Sequence, residues 1–201
     1  MEKDQVVIFG CGGHSRSVVD VLLSYRMDVS LVFVDAGAQE GELLFGFPVL
    51  SEFELKRHSF FFAIGDNEKR RKKFEETGDS RLISIISPKA SIGLRAQLGR
   101  GVFVGNFAHV GPEAKIGDNT ILNNGCVVEH EVVVGNHCHI GPRAAISGRC
   151  RIGDRVFVGV GAVIKDGISI CSDVTIGAGA VIVRDIQEPG TYVGCPGKKM
   201  H

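Results

Sequence analysis

The sequence lacks several features that mark common protein classes. Positive and negative side chains balance at 23 each, so the chain has no formal net charge at pH 7. No basic run or stripe stands out, which argues against a surface for nucleic acids or anionic membranes. The N-terminal segment MEKDQVVIFGCGG has an acidic flank and only a short apolar run, which is typical of neither a signal peptide nor a membrane span. We therefore expect a cytoplasmic protein without nucleic-acid or membrane partners.

Closely spaced cysteine pairs are also absent. None of the six cysteines belongs to a C-x-x-C motif, which excludes proteins of the zinc-ribbon and thioredoxin types. In a cytoplasmic chain such cysteines are expected to be reduced, small and half-buried. They are Cys11, Cys126, Cys138, Cys150, Cys171 and Cys195.

Glycine, by contrast, is abundant, and most of its 27 residues lie after residue 90. From Ala90 the sequence divides into sixteen consecutive hexads without an insertion. The third position of every hexad is Ile, Leu or Val, and the fourth position is Gly in ten of them. A period of six fits neither an amphipathic helix nor a coiled coil.

A parallel β-helix explains this period. A short strand places its first and third side chains on the same face, and a turn must follow it. We expect glycine at the fourth position to provide the backbone angles of that turn. Three such sides form a triangular coil with aliphatic side chains inside, and each coil pairs with its neighbours. Sixteen hexads correspond to about five coils.

The repeat resembles the left-handed parallel β-helix of the hexapeptide-repeat acyltransferases. The left-handed crossover is implied by this resemblance and is not a consequence of the repeat itself. The final segment EPGTYVGCPGKKM leaves the hexad register at Pro189 and is expected to cap the open end of the β-helix.

The first half of the chain has a different organisation. The segments QVVIFG, VSLVFVD, SFFFAIG and RLISIIS predict four strands. Helices are predicted around 16–25 and over EKRRKKFEE, with Asn67 as the N-cap of the second. Strands that alternate with helices favour a small Rossmann-like parallel sheet. We predict an N-terminal α/β domain over residues 1–87 and an all-β domain over residues 88–201, divided near Ser87–Pro88.

A glycine turn between the first strand and the first helix is a candidate nucleotide site. In GCGGHS, Gly12 and Gly13 could present backbone N–H groups to an anion at the helix N-terminus. Asp35, at the end of the second strand, is where a ribose or base contact is expected. The segment AIGDN ends the third strand at the same carboxyl edge.

The alternative is a tight turn that only packs the helix on the strand. Ser15 stands where the dinucleotide motif G-x-G-x-x-G has its third glycine. The domain also has about half the size of a dinucleotide fold, which disfavours NAD. A mononucleotide or a nucleotide-sugar is the favoured ligand.

Histidines are concentrated in the segment CVVEHEVVVGNHCHIG. In the hexad CVVEHE, His130 and Glu131 occupy the turn and point outward, where a neighbouring subunit could pack. His137 falls at another turn. His139 and His109 each take the second position of a strand, which faces outward.

These histidines allow three interpretations. A zinc site at a subunit interface, as in γ-carbonic anhydrases, is disfavoured because the sequence gaps between the histidines do not match. His130 could instead act as a general base, with Glu131 or Glu129 holding the imidazole in one tautomer. A solvated surface edge is equally compatible with a His–Glu pair. Gly148, eighteen residues after His130 at the same corner, could offer an N–H group to an oxyanion.

The whole chain resembles the bacterial sugar O- and N-acetyltransferases of the sialic acid, bacillosamine and perosamine pathways. The motifs that carry the resemblance are IFGCGGHS, VFVD, FFAIGDNEKRRK, ILNNGCVVEHEVVVGNHCHIGPRAAISG and YVGCPGKKM. The resemblance implies a homotrimer that binds acetyl-CoA between adjacent prisms and needs no metal.

The resemblance also assigns roles to single residues. His130 matches the family's catalytic base, and Glu131 matches the carboxylate that orients it. Gly148 matches the backbone donor to the thioester oxygen, and His139 matches a histidine near the acetyl group. The positions around the nucleotide-sugar pocket are His14, Asp35, Gly65 and Asn67.

The expected function is acetyl transfer from acetyl-CoA to the amino group of a nucleotide-linked 4-amino-4,6-dideoxy sugar. O-acetylation of sialic acid is the alternative within the class, since His130 could equally activate a hydroxyl group. A non-catalytic subunit that senses a nucleotide-sugar is the alternative from a different class. The sequence does not separate these substrates, because the pocket that reads the sugar is expected to lie between domains and subunits.

Overall fold

The computed structural model describes residues 5–26, 28–55, 58–78 and 81–200, which form an N-terminal α/β unit and a solenoid. The α/β unit contains β1 (Gln5–Phe9), α1 (Gly13–Tyr25), β2 (Ser30–Val34), β3 (Leu43–Leu44), β4 (Phe47–Leu50), β5 (Ser59–Phe62) and α2 (Asn67–Thr77). Its strands form one sheet in the order β3-β4-β2-β1-β5. All pairings are parallel except the β3–β4 hairpin.

The central strand β1 is covered on both faces. Val6 and Ile8 belong to the hydrophobic cluster that contains α1, whereas Val7 and Phe9 belong to the cluster on the opposite face. Burial on both faces explains why QVVIF is apolar at successive positions, as parallel strands in α/β proteins are. The carboxyl ends of β1, β2 and β5 therefore lie at one edge of the sheet.

Three details of this unit differ from the sequence prediction. Helix α1 begins at Gly13, three residues earlier than predicted. The N-cap of α2 is Asp66 rather than Asn67, because the Asp66 side chain accepts a hydrogen bond from the Lys69 N–H group at 2.8 Å. Asp66 has the extended backbone that a capping residue needs, whereas Asn67 is already helical. The β3–β4 hairpin was not predicted, since its strands are too short to show a period.

The predicted fourth strand of this sheet is wrong in its placement. Within residues 81–87, Leu82 makes an isolated bridge to Phe60 of β5. Ile85 and Ile86 form β6, which pairs instead with Phe103 and Val104 of the solenoid. Strand pairing of the solenoid thus begins three residues before the predicted division at residue 88, and the division into two domains there stays a prediction.

The solenoid consists of short strands stacked in three parallel sheets. Their bounds are β6 (Ile85–Ile86), β7 (Ser91–Ile92), β8 (Gln97–Leu98), β9 (Phe103–Val104), β10 (His109–Val110), β11 (Lys115–Ile116), β12 (Ile121–Leu122), β13 (Val127–Val128), β14 (Val133–Val134), β15 (His139–Ile140), β16 (Ala145–Ile146), β17 (Arg151–Ile152), β18 (Phe157–Val158), β19 (Val163–Ile164), β20 (Ser169–Ile170), β21 (Val174–Ile176), β22 (Val181–Ile182), β23 (Gly190–Val193) and β24 (Lys198–Lys199).

The three sheets are named here by their first solenoid strands. The β6 sheet has the order β24-β23-β21-β18-β15-β12-β9-β6, the β7 sheet β22-β19-β16-β13-β10-β7, and the β8 sheet β20-β17-β14-β11-β8. From β6 to β19, each strand pairs with the strand eighteen residues later in the chain, as His109 does with Val127. An α/β unit followed by a parallel β-helix confirms the fold class predicted from the sequence.

The solenoid interior is filled by the first and third residues of the hexads, as predicted. In one hexad Cys126 and Val128 are both fully buried. Cys138 and Cys150 occupy the same interior position in other hexads. All six cysteines are free, and the three buried ones act as small apolar side chains. Cys11 and Cys171 are half-buried as predicted, whereas Cys195 is exposed because it lies in the C-terminal segment outside the solenoid interior.

The fourth-position glycines have a different physical role from the one predicted. None of the ten has a positive φ. A Cβ atom on Gly111 would lie 2.5 Å from the backbone nitrogen of His130, and one on Gly159 would lie 2.6 Å from that of Ala178. At these glycines the neighbouring coils approach so closely that a side chain has no space.

The left-handed backbone falls instead on the sixth position. Every sixth-position residue from Arg95 to Gly179 has a positive φ between 55° and 66°, apart from Gly167 at 75°. Most of them are not glycine, and they include Phe107, Glu131 and His137. Their side chains lie on the outside of the corner, so the strain is local to the turn.

The C-terminal segment closes one end of the solenoid. β23 continues the β6 sheet in parallel with β21, and β24 pairs antiparallel with β23. Tyr192 of β23 packs against the solenoid core. This arrangement agrees with the predicted cap. Neither helix within the described ranges is long and apolar enough to cross a membrane.

Two glycines separated by one residue test the distinction between the fourth and sixth positions. Gly159→Ala should lower the stability of the solenoid by about 1–3 kcal/mol, because the new methyl group meets the backbone of the next coil. Gly161→Asn should have little effect, because nothing lies within 4 Å of a Cβ there and Asn tolerates φ +66. Thermal unfolding followed by circular dichroism measures both, and equal destabilisation would contradict the assignment.

Candidate active site

A fully buried arginine joins the α/β unit to the solenoid. Arg70 of α2 is 1% exposed. Its Nε donates to the carbonyl of Asn119 at 2.9 Å, and its Nη2 donates to the carbonyls of His137 and Cys138 at 3.0 and 2.9 Å. Its Nη1 donates to the carbonyl of Ile64 at 2.9 Å. One guanidinium thus binds the end of β5 and two consecutive coils of the solenoid.

The charge of Arg70 is compensated by dipoles. Burial lowers the pKa of Arg70 to about 10, so the side chain stays protonated at neutral pH. Its hydrogen bonds within the described chain go to backbone carbonyls and to Oδ1 of Asn67 at 2.8 Å. Because a planar guanidinium carries five donors in a fixed arrangement, lysine could not reproduce this set.

His139 lies on the outer face of the β6 sheet, as its strand position predicts, but it is only 9% exposed because the α/β unit covers this face. The Gly65 carbonyl can only accept, so Nδ1 of His139 donates to it at 3.1 Å. Nε2 is therefore unprotonated and accepts from the Asn123 amide at 3.1 Å. Burial, together with the charge of Arg70, lowers the pKa of His139 to about 4. This imidazole is neutral at physiological pH.

His14 lies beside His139 at the start of α1. Their ring centroids are 6.0 Å apart, and the His14 ring also meets the edge of Phe103 at 5.0 Å. Burial is the main cause that lowers the pKa of His14 to about 3, followed by the charges of His139 and Arg70. Its Nε2 atom is buried and has no hydrogen-bond partner among the described residues.

An open cleft lies at the junction of the two units. It has a volume of about 520 Å³. One wall is the start of α2 with Gly65 and Asn67, and the other is the β6 sheet with His139, Phe157 and Arg155. The structure thus brings His139, which was predicted near the acetyl group, together with Gly65 and Asn67, which were predicted around the nucleotide-sugar pocket. His14 lies against His139.

The glycine turn lies at the carboxyl edge of the same sheet. Asp35 organises it, since Oδ2 accepts from the Cys11 N–H group at 2.9 Å and Oδ1 accepts from Gly37 at 3.0 Å. Gly12 and Gly13 are exposed, and a Cβ on either would meet nothing within 4 Å. A ligand could therefore approach this backbone closely. The ribose or base contact of Asp35 stays a prediction.

His130 and Glu131 lie at the corner between the β7 and β8 sheets. Nδ1 of His130 faces Oε2 of Glu131 at 3.0 Å, and the His130 side chain is 43% exposed. With Nδ1 donating to the carboxylate, Nε2 is the unprotonated nitrogen and is free to accept a proton. The predicted pairing of these two side chains is present.

Gly148 lies directly under the His130 ring. A Cβ on Gly148 would lie 2.6 Å from Nε2 of His130, so any side chain would displace the imidazole. The Gly148 N–H group has no acceptor within the part of the chain that the structure describes. His130, Glu131 and Gly148 therefore form a second group of predicted residues, on a different side of the solenoid from His139.

A polar groove of about 380 Å³ runs beside Glu131 along the β8 sheet. Basic side chains that line it are Arg95, Lys115 and Arg151. In the described ranges, no cluster of three or more His, Cys, Asp or Glu side chains is arranged to hold a metal ion.

Family models match both parts of the chain. The PglD N-terminal domain matches residues 5–77. The bacterial transferase hexapeptide matches residues 95–130, 113–148 and 131–165, and the hexapeptide repeat of succinyl-transferase matches residues 149–184.

Solved structures of high similarity cover nearly the whole chain. A variant of perosamine N-acetyltransferase from Caulobacter crescentus, in complex with CoA and GDP-perosamine, is 33% identical with a TM-score of 0.91, over 98% of this chain and 97% of that chain. The chain belongs to the hexapeptide-repeat sugar acetyltransferases with a PglD-type N-terminal domain.

Other members are similarly close. The acetyltransferase domain of PglB from Neisseria gonorrhoeae, in complex with acetyl coenzyme A, is 30% identical with a TM-score of 0.91, over 98% of this chain and all of that chain. WeeI from Acinetobacter baumannii is 25% identical with a TM-score of 0.89, over 98% of this chain and 99% of that chain.

A curated relative is an uncharacterized protein of Acanthamoeba polyphaga mimivirus. It is 30% identical over 121 residues, which are 58% of this acetyltransferase chain. The chain spans about a quarter of the length of that relative, at 24%.

Arg70 is the main residue of the junction that sequence reasoning missed. It lies in EKRRKKFEE, in which five of the nine residues are Lys or Arg. Such a segment is typical of a solvated helix. Its neighbour Arg71 does behave in that way, pairing with Glu68 and Glu75 on the helix surface. Only the helical phase relative to the solenoid distinguishes the two arginines, and the sequence carries no sign of that phase.

Removal of the buried guanidinium should loosen the junction. Arg70→Met leaves several buried carbonyls without a donor, and we expect a loss of more than about 3 kcal/mol in the free energy of unfolding. Arg71→Met on the adjacent surface position is the matched control and should have a much smaller effect. Urea titration of both variants measures the difference, and equal midpoints would contradict the role of Arg70.

The buried histidines should make the protein sensitive to acid. Because burial lowers the pKa of His139 to about 4, the unfolded chain binds a proton below about pH 6.5 that the folded chain rejects. Stability should therefore be full above pH 6.5 and fall as the pH drops toward 4. His139→Gln should reduce this slope by up to about one proton, measured by urea titration across the pH range. An unchanged slope would show that His139 is not held neutral.

Proposed function

We propose that this acetyltransferase transfers the acetyl group of acetyl-CoA to the amino group of a nucleotide-linked 4-amino-4,6-dideoxy sugar. The supporting observation is the similarity over nearly the full length of both chains to an enzyme that holds CoA and GDP-perosamine. The complex of the PglB domain with acetyl coenzyme A supports the same donor. These relatives favour an amine over the hydroxyl acceptor of a sialic acid O-acetyltransferase.

His130 is the general base in this proposal. The amine nitrogen attacks the thioester carbon, and Nε2 of His130 takes the proton that the nitrogen loses. Glu131 holds Nδ1 at 3.0 Å, which keeps Nε2 as the acceptor and stabilises the imidazolium that forms. The proton then passes from Nε2 to the departing sulfur when the carbon–sulfur bond breaks.

The Gly148 N–H group donates a hydrogen bond to the thioester oxygen in this proposal. As the amine attacks, negative charge develops on that oxygen, and a preorganised N–H group lowers the energy of the charge. The Gly148 N–H group is without an acceptor in the described chain and lies beside Nε2 of His130. The basic side chains of the neighbouring groove, Arg95, Lys115 and Arg151, suit the phosphates of a coenzyme.

The nucleotide-sugar binds in the cleft and at the glycine turn. Gly12 and Gly13 present open backbone at the start of α1, where an anionic phosphate is stabilised. Asn67 lines the cleft and provides a polar group toward the sugar end, and His14 lies behind the cleft against His139. Which nucleotide and which sugar bind is decided by the screen below.

A homotrimer completes the site in this proposal. His139 and His130 lie on different sides of one solenoid, so a neighbouring copy is needed to bring the cleft and the catalytic corner together. The β7 sheet offers a suitable surface, because its outward residues include Val127, Ala145 and Val163, beside the exposed Phe107 and Val160. The cytoplasmic location expected from the sequence is part of the same proposal.

A screen of acceptors with acetyl-CoA tests the function. UDP-, GDP- and dTDP-linked 4-amino sugars are compared with free and CMP-linked sialic acid, and release of CoA is measured. We expect turnover with a nucleotide-linked amino sugar. His130→Ala should lower kcat by about 10²–10⁴-fold, because the base is lost, while the fold and the trimer persist in sedimentation experiments.

Two glutamates at equivalent positions of adjacent coils give the control. Glu131→Gln should lower kcat because the orienting charge is lost. Glu113→Gln, one coil earlier and paired with Arg95 in the coenzyme groove, should leave kcat unchanged and alter only KM for acetyl-CoA. Unchanged acetyl transfer by His130→Ala would exclude His130 as the base. Absence of turnover with every amino sugar would overturn the proposed substrate class.

A further inference from the structure

At the corners of the solenoid, several side chains at the fifth hexad position make the same type of hydrogen bond. The oxygen of such a side chain accepts a hydrogen bond from the backbone N–H group eighteen residues earlier, at distances from 2.7 to 3.0 Å. The residues that do so are Asp118, Asn124, Asn136, Asp154 and Ser172. Each one caps the coil before it.

Asp166 occupies the fifth position but departs from this pattern. Its oxygens would be expected to accept from the Gly148 N–H group, eighteen residues earlier. Instead Oδ1 of Asp166 accepts from Nη2 of Arg149 at 2.7 Å, and the Gly148 N–H group has no acceptor in the described ranges. Arg149 therefore holds aside the carboxylate that would otherwise occupy this donor.

The other oxygen of Asp166 faces His130 across Gly148. The position that a Cβ of Gly148 would take is 2.6 Å from Nε2 of His130 and 3.2 Å from Oδ2 of Asp166. We name this space, bounded by His130, Gly148 and Asp166, the Gly148 notch. Because both atoms lie close to the same point beside Gly148, they are less than about 6 Å apart, and one ligand nitrogen between them can form a hydrogen bond to each.

The chemistry of the notch distinguishes acceptors. Nε2 of His130 and Oδ2 of Asp166 are both hydrogen-bond acceptors when the base is ready to react. An amino group has at least two N–H donors and can serve both acceptors at once, whereas a hydroxyl group has one donor. A hydroxyl acceptor would leave one charged or basic group unpaired, which disfavours its binding.

We propose that Asp166 is a specificity-determining residue that binds the acceptor's amino group and selects amines over hydroxyls. This inference rests on the proposed function of His130 and deepens it. The sugar amine binds in its neutral form, with one N–H group toward Nε2 of His130 and the other toward Oδ2 of Asp166. As the nitrogen lone pair attacks the thioester carbon, the first proton passes to Nε2 of His130, and the remaining N–H group keeps its hydrogen bond to Oδ2 of Asp166. Asp166 forms and breaks no covalent bond.

The test compares two substitutions at position 166. Asp166→Ala removes the carboxylate without offering a new oxygen, so KM for the amino sugar should rise about tenfold or more while KM for acetyl-CoA is unchanged. Asp166→Asn should in addition lower kcat, because its side-chain oxygen can occupy the Gly148 N–H group as Asn124 and Asn136 occupy theirs. The ratio of activity on the amino sugar to that on its 4-hydroxy analogue should fall at least tenfold in both variants.

Glu188→Ala is the control, because it removes an exposed carboxylate from an ion pair with Lys199 at the C-terminal cap. It should leave both the KM and the ratio unchanged. Unchanged acceptor KM and unchanged ratio in Asp166→Ala, with an active wild type, would overturn the role of Asp166 alone. A wild type that acetylates no amino sugar would overturn the proposed function and this inference with it.

Discussion

The hydrogen bonds of one buried guanidinium decide how the α/β unit lies on the solenoid. Arg70 binds carbonyl groups at the end of β5 and in two coils, so neither unit can shift without leaving donors and acceptors unpaired in the interior. The Gly65 carbonyl accepts from both Arg70 and His139. The position of the cleft and the tautomer of His139 therefore depend on this arginine.

The repeated pattern of hydrogen bonds in the solenoid is interrupted at the corner where His130 lies. At its corners, fourth-position glycines allow neighbouring coils to approach closely, and several fifth-position oxygens accept from backbone N–H groups of the preceding coil. At the corner of His130 the fifth-position feature changes. Gly148 takes the fifth position without a side chain, and Asp166 is held away by Arg149. The result is an open donor and an exposed imidazole on an otherwise rigid scaffold, which is the combination that electrostatic catalysis requires.

The sequence predicts structure best where the physical constraint is local and repeated along the chain. The hexads predicted the β-helix, its interior residues and the outward placement of His130, since a strand alternates its side chains whatever lies around it. The fourth-position glycines were predicted to supply the backbone angles of a turn, whereas in the structure they allow close approach between coils. Both constraints favour glycine, so the sequence alone does not distinguish them. Ile85 and Ile86 were predicted to join the sheet of the α/β unit, but they pair with the solenoid. The sequence of an apolar strand does not indicate which strand it pairs with.

The sequence by itself determined the two-part architecture, the outward placement of His130 at a turn and the position of Gly148 one coil away. These follow from spacings of six and eighteen residues, which the backbone geometry of the repeat converts into distances. The structure decided between Glu129 and Glu131, since Oε2 of Glu131 faces Nδ1 of His130 at 3.0 Å. Only the tertiary structure decided that Arg70 is buried, that His139 is covered and neutral, and that Asp166 turns from its expected partner toward His130. Each of these depends on which surfaces of separate elements meet, and such contacts have no period along the chain.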